Sequence, residues 1–304
     1  MRRIVLLIIV LALIGYLYFL FPFNVLTQPI IFQLRFFRLL LAIYAGISLS
    51  VFGLFLQGML DNPLVEPYTL GIASGAALGV GIGCLLNSPL GTNILAFAGA
   101  ALATFFVFFL ARVSRRRLKE GLILAGIIIG FFASGVVFLL LTIGGRKLHE
   151  IIYLLMGYLG KVPTHTGYWQ LLISSLFSLL AILYIYFNTK ALDIIATGYE
   201  SARTLGIDIE RFLTTGFLLI SLAVGLLVAQ VGVVGFVGLV VPHLARMVVG
   251  DKHRPAFYAS IFLGTGFILI SDLIARSITN FELPIGVVTS IIGGPFFVYL
   301  LVRR

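Results

Sequence analysis

Only a few residues in this chain are of the types that do chemistry. Of 304 residues, 11 are Asp or Glu. Four of these, Asp193, Glu200, Asp208 and Glu210, fall in one stretch, Asn188 to Phe212, together with Lys190, Arg203 and Arg211. Within it Ile194, Ile195, Tyr199, Ala202 and Leu205 recur at steps of three and four. That spacing predicts a short helix with one apolar face. Gly206 stands where the helix should stop. A plain connection needs only a few residues. A structured polar segment of this length predicts a docking surface for something outside a membrane.

Asp272 is a second candidate. An ionised side chain inside an apolar helix is costly unless it is paired or hydrated. Arg276 lies four residues on, so the spacing predicts an i,i+4 ion pair. A proton relay would use a series of such groups, and the sequence shows none. Arg35, Arg38 and Arg276 form a third set, cations beside apolar runs on the side that the charge count makes external. Cations there either anchor lipid headgroups or capture an acidic partner.

The remaining reactive types are sparse. His149, His165, His243 and His253 are scattered, and Cys84 is the only cysteine. No metal site and no intrachain disulfide is expected. His243, next to Pro242, reads as a hydrogen-bonding residue. The chain has no HExxH, no GxSxG and no GxxxxGK[ST] phosphate loop. We therefore expect no catalytic residue, no cofactor and no ATP hydrolysis by this chain. An ATP-driven process would need a second polypeptide as its motor, and the stretch 188–211 is the natural place for it to dock.

The elements that position these residues follow from composition. The chain is 61% hydrophobic and 11% charged, with mean hydropathy +1.15. Soluble domains carry about 25% charged residues. Several apolar runs reach the roughly 20 residues that cross a bilayer as a helix. They are apolar on all sides, which excludes the alternation of a β-barrel. The fold class is all-α, a polytopic integral membrane protein. The net charge of +10 does not indicate nucleic acid, because the basic residues sit in short clusters between apolar runs.

Ten spans are expected, at about 4–21, 38–60, 72–86, 93–111 and 121–143, a sixth ending near 187, then 212–229, 231–250, 255–274 and 283–302. Met1-Arg2-Arg3 looks like the start of a signal peptide, but no small-residue cleavage site follows, so the first run reads as a retained span. Asp61 to Gly71, with two prolines, predicts a bend at the inner surface. The Gly/Ala-rich span at 72–86 predicts a packing helix. Gly144 to Tyr168 reads as external, with EIIYLLMGYL a short interfacial helix and Trp169 in an aromatic belt. This layout puts 15 of the 21 Lys/Arg inside, with both termini cytoplasmic.

At this level the sequence resembles the permease family of ABC importers for iron-siderophores, haem and vitamin B12. The resemblance runs from Leu34 to Leu301 and rests on ordered strings: RFFRLLLAIYAG, LQGMLDNPLVEPYTLGIASGAALG, LILAGI, YLLMGYLG, ATGYESARTLGI, GFVGLVVPHLARMVVGDKHR and ELPIGVVTSIIGGPFFVYLL. It implies one transmembrane permease domain over residues 1–304, acting as a homodimer in the cytoplasmic (inner) membrane of a prokaryote. Two cytoplasmic ATPase subunits would lie below it. A binding protein outside would deliver an iron chelate, with cobalamin or an oxyanion such as molybdate as alternatives. The coupling positions implied are Thr197, Gly198, Glu200, Ser201, Ala202, Arg203, Leu205 and Gly206. Arg35, Arg38 and Arg276 match the arginines that receive the binding protein. Asn62 and Leu64 match the cytoplasmic gate. Lys119-Glu120-Gly121 departs from the small polar residues of the second gate position. Serines near the axis, such as Ser134, would line the path. An ion-coupled secondary transporter is the competing class. It needs buried ionisable groups and gains nothing from a structured cytoplasmic loop.

Overall fold

A computed structural model of the chain describes residues 29–86, 89–114, 118–143, 155–278 and 282–302, with Leu7, Gly15, Tyr18, Ile152 and Tyr153. Eleven helices carry these residues, and we number them in chain order. They are α1 (Pro29–Leu60), α2 (Ile72–Leu85), α3 (Pro89–Val113), α4 (Leu118–Ile143), α5 (His165–Phe187) and α6 (Thr189–Ile195), then α7 (Tyr199–Thr204), α8 (Ile209–Val231), α9 (Val237–Val249), α10 (His253–Ala275) and α11 (Ile285–Val302). Six helices among the described residues are long and apolar enough to span a bilayer, and α2, α9 and α11 are shorter apolar helices. The expected first span, the termini and the basic run Arg115 to Arg117 lie outside the described residues, apart from Leu7, Gly15 and Tyr18.

Contacts between helix ends define two faces. Lys119 at the start of α4 reaches Asp61 after α1, and Arg112 at the end of α3 reaches Glu210 at the start of α8. Asp193 of α6 meets His253 at the start of α10. All of these ends carry the Lys/Arg that the sequence assigns to the inside, so we call this the inner face. The opposite ends of α1 and α10 meet at the outer face, through Arg38 and Asp272.

Several boundaries differ from the sequence expectation. α1 begins at Pro29 rather than near 38. Proline suits the first helical position, where its missing N–H has no partner to lose, and nothing after it breaks the helix before Asp61. Arg35 and Arg38 therefore sit inside a helix. Likewise α5 starts at His165, where the Thr164 hydroxyl accepts from the Gly167 N–H at 3.0 Å.

The expected span at 231–250 is shortened at its start. Val237–Val249 is helical, while Gly232 leaves α8 at φ 73 and residues 232–236 are non-helical. Hydrogen bonds from other segments hold the backbone around this break. The Val231 carbonyl accepts from the Tyr158 N–H at 2.9 Å, and the Val234 N–H donates to the Tyr68 hydroxyl at 2.7 Å. Irregular backbone survives at membrane depth only when protein buries it in this way.

α2 packs as its small residues suggest and is buried along most of its length. The bend at Asp61–Gly71 is non-helical, with Asp61 at φ 48. Asn62 Oδ1 accepts from the Leu64 N–H at 2.9 Å, a side-chain turn that holds the backbone where Pro63 cannot donate. Of the expected interfacial helix, Ile152, Tyr153 and Leu155 are helical, and the chain from Gly157 to Thr164 is irregular.

Candidate functional site

The inner surface is built on α6 and α7. The sequence reading gives one short helix here, and the structure gives two, broken at Gly198, whose φ of 118 and ψ of 145 no helix accommodates. α7 ends as expected at Gly206, which takes φ 85. The Gly206 N–H donates to the Arg203 carbonyl at 2.9 Å and the Ile207 N–H to the Ala202 carbonyl at 3.0 Å. That is the Schellman pattern, which needs a left-handed residue at this position.

The break turns α7 relative to α6, and the apolar face turns with it. Ile195 and Ala202 are buried, whereas Leu205 is 67% exposed. Leu205 was expected on the buried face. Thr197, Gly198, Glu200, Ser201, Arg203, Leu205 and Gly206 form a continuous exposed surface, and Ala202 is the root that seats it in the core.

This surface is tied to the rest of the inner face by contacts that the sequence alone does not show. The Tyr199 hydroxyl donates to the Met59 carbonyl in the last turn of α1 at 2.7 Å. Burial, with the Asp61 carboxylate nearby, pushes this phenol up to about 12, so it stays a donor. Lys119 lies 5.2 Å from the Tyr199 ring centroid and 3.6 Å from Asp61. Thus Lys119, the departure from the family pattern, links the loop of Asn62 and Leu64 to α7. Asn62 is half-buried, and Leu64 is exposed beside it.

Asp193 makes a further link. Its Oδ1 accepts from the His253 N–H at 2.9 Å and lies 2.7 Å from His253 Nδ1. A carboxylate at the start of a helix caps orphan donors and complements the dipole.

The outer cluster corrects the expectation for Asp272. Its carboxylate pairs with Arg38 of α1 rather than with Arg276. Arg38 Nε donates to Asp272 at 2.9 and 3.1 Å, and Nη2 donates at 2.8 Å. The Tyr18 hydroxyl donates to Asp272 Oδ2 at 2.7 Å. The Arg38 guanidinium on the adjacent helix presents its planar fork to the carboxylate, while Arg276 is engaged elsewhere. Arg276 caps α10 and turns away, donating to the Tyr18 carbonyl at 2.7 Å with its guanidinium over the Tyr18 ring.

Arg38 also donates to half-exposed Glu282 at 2.8 Å. Arg38 and Asp272 are both buried, so the charge pair is desolvated and mutually satisfied. The structure therefore separates the three arginines. Arg35 and Arg276 are half-buried near the surface, and Arg38 stands behind them.

A cavity of about 310 Å³ opens between α2, α4 and the 152–156 segment. Tyr68, Ser74 and Ser134 supply its polar wall, and Phe138, Met156 and Val233 part of its apolar wall. No charged side chain among the described residues lines it. Among the described residues, no group of three His, Cys, Asp or Glu could hold a metal ion.

A multi-pass helical bundle with a largely apolar cavity and a structured inner surface is the architecture of a membrane permease subunit. The chain belongs to the FecCD transport family, whose model matches residues 4–303. It is an ABC transporter permease subunit, not itself catalytic. The vitamin B12 import system permease protein BtuC of Vibrio cholerae is 36% identical over 285 residues, 92% of this chain and 84% of that protein. The hemin transport system permease protein HmuU of Yersinia pestis is 34% identical over 281 residues, 90% of this chain and 83% of that one. A solved inward-facing conformation of a metal-chelate type ABC transporter superposes with a TM-score of 0.89 at 28% identity, covering 100% of this chain and 99% of that one.

Proposed function

We infer that residues 1–304 act as one permease domain, which dimerises to form the path for an iron chelate, a siderophore complex or haem. Two ATPase subunits dock on the exposed surface of α7, from Thr197 to Gly206. ATP closes the motor, α6 and α7 move with it, and the helix bundles rock so that the path opens to one side at a time. Asn62 and Leu64 form the inner gate. A binding protein presents acidic side chains to Arg35 and Arg276, with Arg38 holding the site behind them.

The cavity wall, uncharged among the described residues, is the observation that favours a chelate over a small oxyanion. A bulky complex that shields its metal needs a wide, weakly binding lining. A small oxyanion would need fixed cations or aimed N–H donors, and the lining residues offer no cation. Cobalamin is the second reading, supported by the similarity to BtuC.

The test is uptake into vesicles holding the permease, its ATPase and its binding protein. Labelled ferric siderophore, haem, cobalamin and molybdate are compared at equal concentration. ATP-dependent accumulation of an iron chelate is expected. Accumulation of cobalamin or molybdate alone would overturn the cargo assignment.

A further inference from the structure

α10 connects the two faces as a single helix. Its 23 residues give a length of about 34 Å, enough to cross the hydrocarbon core. It is joined to α1 at three levels. At the inner end the His253 ring fills the space over Gly58, where a Cβ would lie 2.5 Å from Nε2. Midway, Gly46 and Gly264 bring the backbones into direct contact, since a Cβ on Gly46 would meet the Gly264 carbonyl oxygen at 2.6 Å. Ser50 Oγ lies at the same level, within 2.6 Å of the Gly46 carbonyl and 2.9 Å of the Ser260 carbonyl. At the outer end Arg38 of α1 holds Asp272 of α10. Two helices locked at three depths cannot slide past one another without breaking buried contacts.

Each end of this pair also carries a second attachment. The inner end is held by Asp193, which belongs to α6, immediately before the motor-facing surface. The outer end carries Arg276 and, through Arg38, Glu282. We propose that α1 and α10 form a rigid strut between the motor-facing and receptor-facing surfaces, with Asp193–His253 and Arg38–Asp272 as the pins at its two ends. Asp193 and His253 are then positioning residues for coupling, touching neither motor nor cargo. The proposal rests on the docking surfaces assigned above.

The experiment uses the permease dimer with its ATPase in lipid nanodiscs, measuring ATP hydrolysis with and without the binding protein. Asp193→Ala and His253→Ala should each cut the stimulation by binding protein about five-fold or more, the scale of an ordinary allosteric coupling. ATPase co-purification and binding-protein affinity should hold. His253→Asn, which keeps a donor near the Nδ1 position, should restore much of the stimulation. Combined with Arg38→Lys, which keeps the charge but loses the fork, Asp193→Ala should lose no more than the worse single variant, because both break one line. Normal stimulation in both alanine variants, or strict additivity in the cycle, overturns the strut.

Should the alanine variants not fold, the unmodified complex decides. Binding protein added at the outer face should slow amide exchange in α6 and in the first turn of α10. Unchanged exchange there overturns the strut. A wild-type chain that fails to recruit the ATPase or the binding protein would instead refute the docking surfaces themselves.

Discussion

The two ends of the molecule use charge in opposite ways. At the outer end Arg38 and Asp272 are buried and bidentate, with Tyr18 on Asp272 and half-exposed Glu282 on Arg38. At the inner end Glu200 and Arg203 lie open to solvent, and their contact at 3.5 Å joins neighbours on one short helix. A desolvated pair holds helices together and is costly to break from one side. An exposed pair contributes little to stability and remains available to a partner. Acid–base pairs thus serve architecture deep in the outer end, and under the proposed function they face a partner at the inner one.

The sharpest way to break this contrast is to remove one member of the buried pair. Asp272→Ala leaves Arg38 buried with only Glu282, and we expect a loss of about 3–5 kcal/mol. Thermal unfolding in detergent and the yield of monodisperse protein report it. A variant as stable as wild type would mean that the outer charges are not structural.

At the inner face, Gly206→Val should act locally. A β-branched residue at φ 85 costs about 1–3 kcal/mol of strain, which should unseat the end of α7. Uptake should fall while bulk thermal stability changes little. Equal loss of stability and uptake would merge the two faces into one class. Gly198→Phe, on the same exposed surface, should uncouple ATP hydrolysis from uptake in reconstituted vesicles.

Lys161 provides a pH test beside the outer face. Its Nζ donates to the Ala229 carbonyl at 3.0 Å, and burial pushes the ammonium down to about 8 from 10.5. Between those values the unfolded chain binds more protons than the folded one, so stability rises with pH from about 8 to 10.5. Lys161→Met should flatten that slope. An unaltered slope would show that Lys161 is hydrated.

The smallest effect belongs to Arg112 and Glu210, which pair at 3.0 Å with both side chains mostly exposed. Arg112→Ala should cost under about 1 kcal/mol, measured by thermal unfolding.

How legible each end was in the sequence follows from the same contrast. The inner surface could be read because its signals are local: the polar run, the three-and-four spacing and Gly206. The break at Gly198 was missed, since periodicity carries across it without interruption. The partner of Asp272 was misread, because i,i+4 spacing is visible along a chain and a residue 234 positions away is not. The contacts of His253, Tyr199 and Lys119 were illegible for that reason too. Each matters through a contact made across the inner face. The break before α9 had a hint in Gly232 and Gly235, but which hydrogen bonds would form around it depended on Tyr68 and Tyr158.

Under the proposed function this chain is a conduit without an engine, moved by an ATPase seated on α7. The most direct measurement is cargo accumulation in vesicles holding the purified permease and binding protein, with and without the ATPase and ATP. Accumulation should appear only when both are present, and a proton or sodium gradient should not replace them. Uptake by the permease alone, driven by such a gradient, would contradict the account.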